Sequence, residues 1–336
     1  MLLCTSFGGA AAPASEMLDP LTRSTWYNVG TQLYEEGHYT QAVPFLKQAM
    51  KLHPKDAVSV YNLGMCEVSL RQYKEALADF SEAIRRSPNY LDAYANRGSC
   101  KDILGDKRGA IADYSKAISL SKHPEVDLYY NRGTALFLLN EYEKAIPDLS
   151  AVIKRAPKND KVYLARGFSY AVLKEPAKAI ADLNTYIHLS GGDADAFAKR
   201  ADQYAILHDF TRAVHDYSDA LRLNADAPET LYKRSICYTR IGQARLGMAD
   251  ANETLKHDKF KKQGYAARAF AQLALGDLSG ARGDCEQYEA IAPGDYLVHF
   301  VRGMICMNKH SYEDALAELN KSIDLNSGFD ESYYNR

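Results

Sequence analysis

Apolar and small residues alternate with polar ones along this chain in a pattern that returns every 34 residues. Between Ala57 and Tyr90, Leu63 and Gly64 stand in the first half, and Ala76, Phe80, Ala83 and Pro88 in the second. The preceding segment carries Trp26, Gly30, Leu33, Ala42, Leu46, Ala49 and Pro54 at matching places. The pattern predicts two helices per repeat, A then B. Each hairpin has an apolar face too small to bury alone, so neighbours stack into a continuous core.

Nine repeats are expected, at 23–56, 57–90, 91–125, 126–159, 160–193, 194–227, 228–261, 262–295 and 296–329. Residues 330–336 read as the start of a truncated tenth, with Tyr333 at the place of Trp26. A solenoid normally closes on a polar capping helix, so this stop suggests that the natural polypeptide continues. A small residue where helix A crosses helix B recurs as Ala42, Ala76, Ala110, Ala145, Ala179, Ala213, Ala281 and Ala315, letting two helix axes approach closely. The seventh repeat departs from the pattern, with Gly247 there, Ser235 for the helix A glycine, and no closing proline. One residue is inserted near Lys122 to Glu125, and Gly191-Gly192 marks another irregular turn.

The order of Trp, Leu-Gly, Ala, Phe, Ala and Pro resembles the tetratricopeptide-repeat (TPR) family. That resemblance implies an all-α, right-handed superhelical solenoid with helix A lining its concave surface. It also implies a non-enzymatic scaffold or adaptor that holds peptides or helices of other proteins in the groove. A substrate-selecting arm of a larger enzyme, or a structural part of a large assembly such as a ciliary or transport complex, is the alternative.

Three ladders run through the repeats. Arginine stands at 97, 132, 166, 200, 234, 268, 302 and 336, and an acid at Asp79, Asp113, Asp148, Asp182, Asp216, Asp250, Asp284 and Glu318. Pairing each acid with the arginine 18 residues ahead, or 19 across the insertion, leaves no member unmatched. Asp148 is therefore expected on Arg166, and Asp182 on Arg200, with bidentate geometry. Arginines that grip an acidic ligand are the other reading. The third ladder is Asn28, Asn62, Asn96 and Asn131, mostly beside Tyr27, Tyr61 and Tyr130, with Tyr334-Asn335 at the end. An amide offers both donor and acceptor to a peptide main chain, and tyrosine adds stiff apolar area. This ladder resembles that of the O-linked N-acetylglucosamine transferase repeats. Asparagines bonded to water or a neighbouring helix are the alternative.

Farther along, the ladder position holds Lys199 and Lys233, suited to an acidic ligand, and Phe168, Phe270 and Phe300 either meet apolar ligand groups or pack between repeats. The carboxylate clamp of chaperone-binding repeats is not reproduced: its places hold Tyr27, Thr31, Asn62, Asp92 and Asn96, and Asp92 would repel a carboxylate.

Charge and composition narrow the partners. With 46% apolar and 25% charged residues the chain can bury a core, and 41 basic against 43 acidic residues leave no field to recruit nucleic acid or anionic lipid. The basic stretch Lys256 to Lys262 reads as a solvated loop. Residues 1–22 read as a disordered tail, lacking a basic start to a signal peptide, and no stretch is long enough to span a bilayer. Six cysteines without paired spacing fit a reducing, cytoplasmic setting, with Cys66, Cys100 and Cys237 acting as small buried groups. The nine histidines form no metalloprotease pattern, and no phosphate-binding loop or calcium loop occurs, so no catalytic residue, cofactor or metal is expected.

Overall fold

A computed structural model describes residues 20–328 and 330–336; nearly all of the expected tail, and Cys4, lie outside the described residues. Nineteen α-helices occur, α1 (Pro20–Glu35) to α19 (Asp330–Asn335), with one 3-10 turn at Asp258–Phe260 and no strand among the described residues. The fold is an all-α helical repeat solenoid. The chain forms two compact units, Met1–Leu173 and Lys174–Arg336. In the first, α1/α2 (Tyr39–Leu52), α3 (Ala57–Ser69)/α4 (Tyr73–Arg86), α5 (Leu91–Ile103)/α6 (Lys107–Leu120) and α7 (Val126–Leu138)/α8 (Tyr142–Arg155) are hairpins, followed by α9 (Asp160–Val172). In the second, α10 (Pro176–Ser190) precedes the hairpins α11 (Ala194–Ile206)/α12 (Phe210–Leu223), α13 (Pro228–Arg240)/α14 (Ala244–Thr254), α15 (Lys261–Ala274)/α16 (Leu278–Ile291) and α17 (Tyr296–Asn308)/α18 (Tyr312–Leu325).

Each hairpin closes on the same backbone device. A left-handed residue follows helix A at Gly37, Arg71, Gly105, Asn140, His208, Gly242, Gly276 and His310. It lets the chain reverse, as where the Gln72 amide donates back to the Glu67 carbonyl at 2.8 Å. Within most hairpins helix A lies on helix B through a glycine, the place being Ala201 in α11 and Ala269 in α15. A Cβ on Gly64 would stand 2.8 Å from the Phe80 ring, and one on Gly98 would stand 2.9 Å from Tyr114. Burying each of these rings contributes about 1.5–3 kcal/mol, and only glycine lets the backbone approach so closely. The small residues of the crossing, Ala42, Ala76, Ala110, Ala145, Ala179, Ala213, Ala281 and Ala315, are all buried.

The irregular seventh repeat exchanges the small residues rather than losing them. Ser235 stands on α13 where most others have glycine, Gly247 stands on α14 where others have alanine, and the Ser235 hydroxyl donates to the Gly247 carbonyl at 2.7 Å. In place of the closing proline, the 3-10 turn leads into α15, and Leu255 packs on Gly264. The inserted residue is absorbed in the loop between α6 and α7.

The crossing register overturns the expected charge pairing. Gly64 faces Phe80 and Gly98 faces Tyr114, so a helix A residue one place earlier faces the acid one place before the ring. Arg132 therefore grips Asp148 of its own hairpin through Nε and Nη2, both at 2.7 Å, and not across to Arg166's position. Arg97 binds Asp113, Arg200 binds Asp216, Arg234 binds Asp250 and Arg268 binds Asp284 in the same way. Asp182 is thus not the partner of Arg200. The seam between hairpins is crossed by the third guanidinium nitrogen instead. Nη1 donates to a serine or asparagine two residues past the previous acid: Arg97 to Ser81, Arg132 to Ser115, Arg166 to Ser150, Arg200 to Asn184, Arg234 to Ser218 and Arg268 to Asn252. The ladder breaks near its end, where His299 takes Glu318 and Arg302 takes Glu289. With both carboxylate oxygens satisfied inside the fold, these arginines are structural.

Candidate functional site

The residues expected to meet a ligand recur at matching places on the A helices. In the first unit, α1, α3, α5 and α7 carry Tyr27, Asn28, Thr31, Tyr61, Asn62, Asn96, Tyr130 and Asn131 in register, with Tyr61 also meeting Phe80 of α4 at 5.6 Å between ring centroids. Tyrosine and asparagine are joined across successive hairpins. The Asn62 amide donates to Tyr27 Oη at 3.4 Å and to Thr31 Oγ1 at 3.3 Å. The Asn96 amide donates to Tyr61 Oη at 3.0 Å and to the Asp92 carbonyl at 3.0 Å.

These residues are not equivalent. Asn96 is 2% exposed and Tyr61 8%, so both lie between helices rather than open to a ligand, a correction to the groove expectation at these two places. The reason is lateral: Tyr61 packs against Tyr90 in a tilted pair, 5.0 Å between ring centroids, and its hydroxyl accepts from Asn96. Burial, then the nearby Asp92, pushes the Tyr61 phenol up, so it stays neutral and accepts the amide. Asn28 is exposed, and Asn62, Asn131, Tyr27 and Tyr130 are partly exposed. Asn131 has Ala95 at the place of the phenol that serves Asn62 and Asn96. Its amide therefore lacks that partner, while Tyr130 beside it turns to Thr134.

In the second unit the two lysines are already answered. Lys233 Nζ lies 3.0 Å from Asp202 and 2.9 Å from Glu229, and Lys199 stands 3.8 Å from Asp202. Burial pulls the Lys233 ammonium down, but Asp202 and Glu229 outweigh it and hold it above its usual value. Asp202 also accepts from the buried Tyr217 hydroxyl at 2.7 Å. An acidic ligand at these lysines would have to displace an acid the fold supplies. Phe270 and Phe300 pack on each other at 5.5 Å, with Phe300 buried, so they serve the core of successive repeats.

The basic stretch is neutralised locally, Lys256 by Glu253, Lys261 by Asp258 and Lys262 by Asp295. His215, Asp216 and Asp219 bring three possible metal donors together, but Asp216 is committed to Arg200 and Asp219 lies 3.0 Å from Arg222. No helix among the described residues is long and apolar enough to cross a membrane. Sequence reasoning missed Asp202 and the Ser/Asn series. The series could have been found by laying each arginine against the residue 16 or 17 places before it.

Comparison with known proteins places this architecture. Tetratricopeptide-repeat models match residues 33–96, 91–124 and 126–159. A search of curated proteins found no match. Among solved structures, YrrB, described as a TPR protein with an unusual peptide-binding site, is 21% identical, with a TM-score of 0.52 over 56% of this chain and 96% of that one. The C-terminal part of a TPR repeat-containing protein from Cytophaga hutchinsonii is 17% identical, with a TM-score of 0.52 over 72% of this chain and 98% of that one. Residues 33–159 thus match the tetratricopeptide-repeat family, and the hairpins beyond them continue its all-α helical repeat fold.

Proposed function

We propose that this chain is a non-enzymatic protein-binding scaffold or adaptor of the cytoplasm that holds an extended peptide or a helix of a partner protein on the helix A face of its first unit. The observation that carries this reading is Asn131, a partly exposed amide whose neighbour across the seam is Ala95 where its relatives in the ladder have a tyrosine. An amide with both a donor and an acceptor suits a main chain, and Tyr130 beside it adds an apolar wall. Tyr27, Asn28 and Asn62 extend the same rail toward the N-terminus. The peptide-binding site of YrrB, on a repeat of the same fold, supports the assignment of peptide as the ligand class.

Lys199 and Lys233 form a separate candidate contact on the second unit, where Asp202 and Glu229 hold them. The test is selection of phage-displayed random peptides on the full chain, followed by counter-screening on Asn131→Ala. Selected peptides should lose affinity for the variant. Peptides that bind both proteins equally would remove this face from consideration.

A further inference from the structure

In the second hairpin the arginine of the ladder is missing although its acid is kept, and what stands there is a pair of acids. In α3 the arginine place is Leu63, yet its partner Asp79 is retained on α4. Four residues past the arginine place, α5 carries Lys101, whose ammonium reaches Asp113 at 2.8 Å. The same position in α3 is Glu67. Asp79, whose counterpart Asp113 meets the two cations Arg97 and Lys101, therefore meets another carboxyl. Glu67 is 5% exposed, and neither its Oε2 nor Asp79 Oδ2, both shut off from solvent, has a hydrogen-bond partner among the described residues.

We infer that Glu67 and Asp79 share a single proton, which replaces the arginine clasp of this hairpin and makes the first unit loosen as pH rises toward neutrality. Two ionised carboxylates cannot be buried side by side without a cation, whereas one proton makes a charge-assisted hydrogen bond between them. Glu67 is the group that carries it. Burial first, then the Asp79 charge, pushes the Glu67 carboxyl up to about 7. Burial also raises Asp79, opposed by its hydrogen bond to Glu67, then Lys47 and Arg86.

No surrounding cation takes the place of the proton. Lys47 approaches from α2 but makes no ion pair with either acid within 4.0 Å, and Arg86 on α4 is held by Glu82 at 2.7 Å and the Asp56 carbonyl at 2.9 Å. Glu75 and Glu82 on α4 add negative charge, and the Cys66 thiol beside Glu67 is pushed up by burial and stays neutral. From α5, Arg97 reaches only Ser81, its carboxylate partner being Asp113. Asn62 lies on α3 as well, so the proton ties the packing of a ligand-facing helix to pH.

Folding raises the carboxyl above its unfolded value, so the folded chain binds the extra proton between about pH 4.5 and about 7. Stability from this pair is full below that window, falls across it and levels off above it. Trp26, the one tryptophan, lies in α1 of the same unit and reports its unfolding. Urea unfolding of the full chain followed by Trp26 fluorescence should show the wild type losing at least about tenfold in folding equilibrium constant relative to Glu67→Gln between about pH 5 and about pH 8. Glutamine keeps the shape and a donor to Asp79 without titrating. Parallel profiles for the two proteins would overturn the inference. The wild type also gives a direct reading independent of the variant: the side-chain carboxyl carbon of Glu67, followed by NMR on glutamate-labelled protein, should titrate well above the ordinary value of about 4.3. A titration at the ordinary value would equally overturn it.

Discussion

Arg97 of the third hairpin donates through Nη1 to Ser81 Oγ of the second, 3.3 Å away, while its other nitrogens hold Asp113 beside it. One planar side chain thus fixes the crossing of two helices within a hairpin and the packing of that hairpin on the previous one. Lysine cannot do both, since its ammonium is a single point of charge. The acid is deeply buried and the arginine less so, and the interaction is worth most as a geometric constraint repeated along the array.

Removal of Arg132 tests this division of labour. Arg132→Leu leaves Asp148 buried without its cation and should cost about 3 kcal/mol, the lower end for a broken buried pair because water reaches the arginine side. Arg132→Leu with Asp148→Leu should recover much of that loss. The nearest-neighbour character of stacked repeats predicts that amide exchange speeds up in α7, α8 and the hairpin carrying Ser115, with α1 and α2 little changed. Uniform loss of protection through the first unit would contradict this.

Two glycines should respond to alanine for different reasons. In Gly64→Ala the new methyl meets the buried Phe80 ring at 2.8 Å, and overpacking should cost about 1–3 kcal/mol. Gly105 has nothing within 4 Å of a Cβ but a φ of +91°, so Gly105→Ala should cost about 1–2 kcal/mol through the backbone alone. Trimming Phe80 to leucine in the Gly64→Ala background should relieve the first variant. No side-chain change should relieve the second, and urea midpoints separate the cases.

Gly247 makes the sharpest local prediction. A methyl there would lie 2.6 Å from the Ser235 carbonyl and 2.6 Å from Thr239 Oγ1, so Gly247→Ala should destabilise the second unit by about 1–3 kcal/mol although alanine is the ordinary residue at this crossing. Differential scanning calorimetry of the variant against the parent measures it.

The helical hairpins were legible because a 34-residue return of small and apolar residues has one physical reading, and the glycine and ring positions followed from it. The pairing of Asp148 was misjudged because counting matched members of two ladders says nothing about how antiparallel helices cross. That crossing is set by Gly98 against Tyr114, and it places Arg97 opposite Asp113. The left-handed turns at Arg71, His208 and His310 gave no sign either, since these residues tolerate that conformation without preferring it. At the candidate site the spacing placed the asparagines in register on the A helices, but it gave no sign that Asn96 is buried beside Tyr61, which packs against Tyr90 in the loop before α5.

The contrast between Asn131 and Asn96 separates ligand contact from internal support. Asn96 spends its amide on Tyr61 and on the Asp92 carbonyl, so Asn96→Ala should cost about 0.5–1.5 kcal/mol for each lost bond and lower the unfolding temperature. Asn131 lacks the phenol, so Asn131→Ala should leave stability nearly unchanged and weaken a selected peptide by about 0.5–1.5 kcal/mol, several-fold in Kd. The added changes Asn28→Ala and Asn62→Ala should deepen the loss to between about one and three orders of magnitude if a main chain runs along the rail, because each amide contributes separately. Isothermal titration of one selected peptide against the single and triple variants measures this. Weakening at Asn96 alone, together with a lowered unfolding temperature, would instead assign the ladder to the fold and direct the search for ligand to other helix A positions.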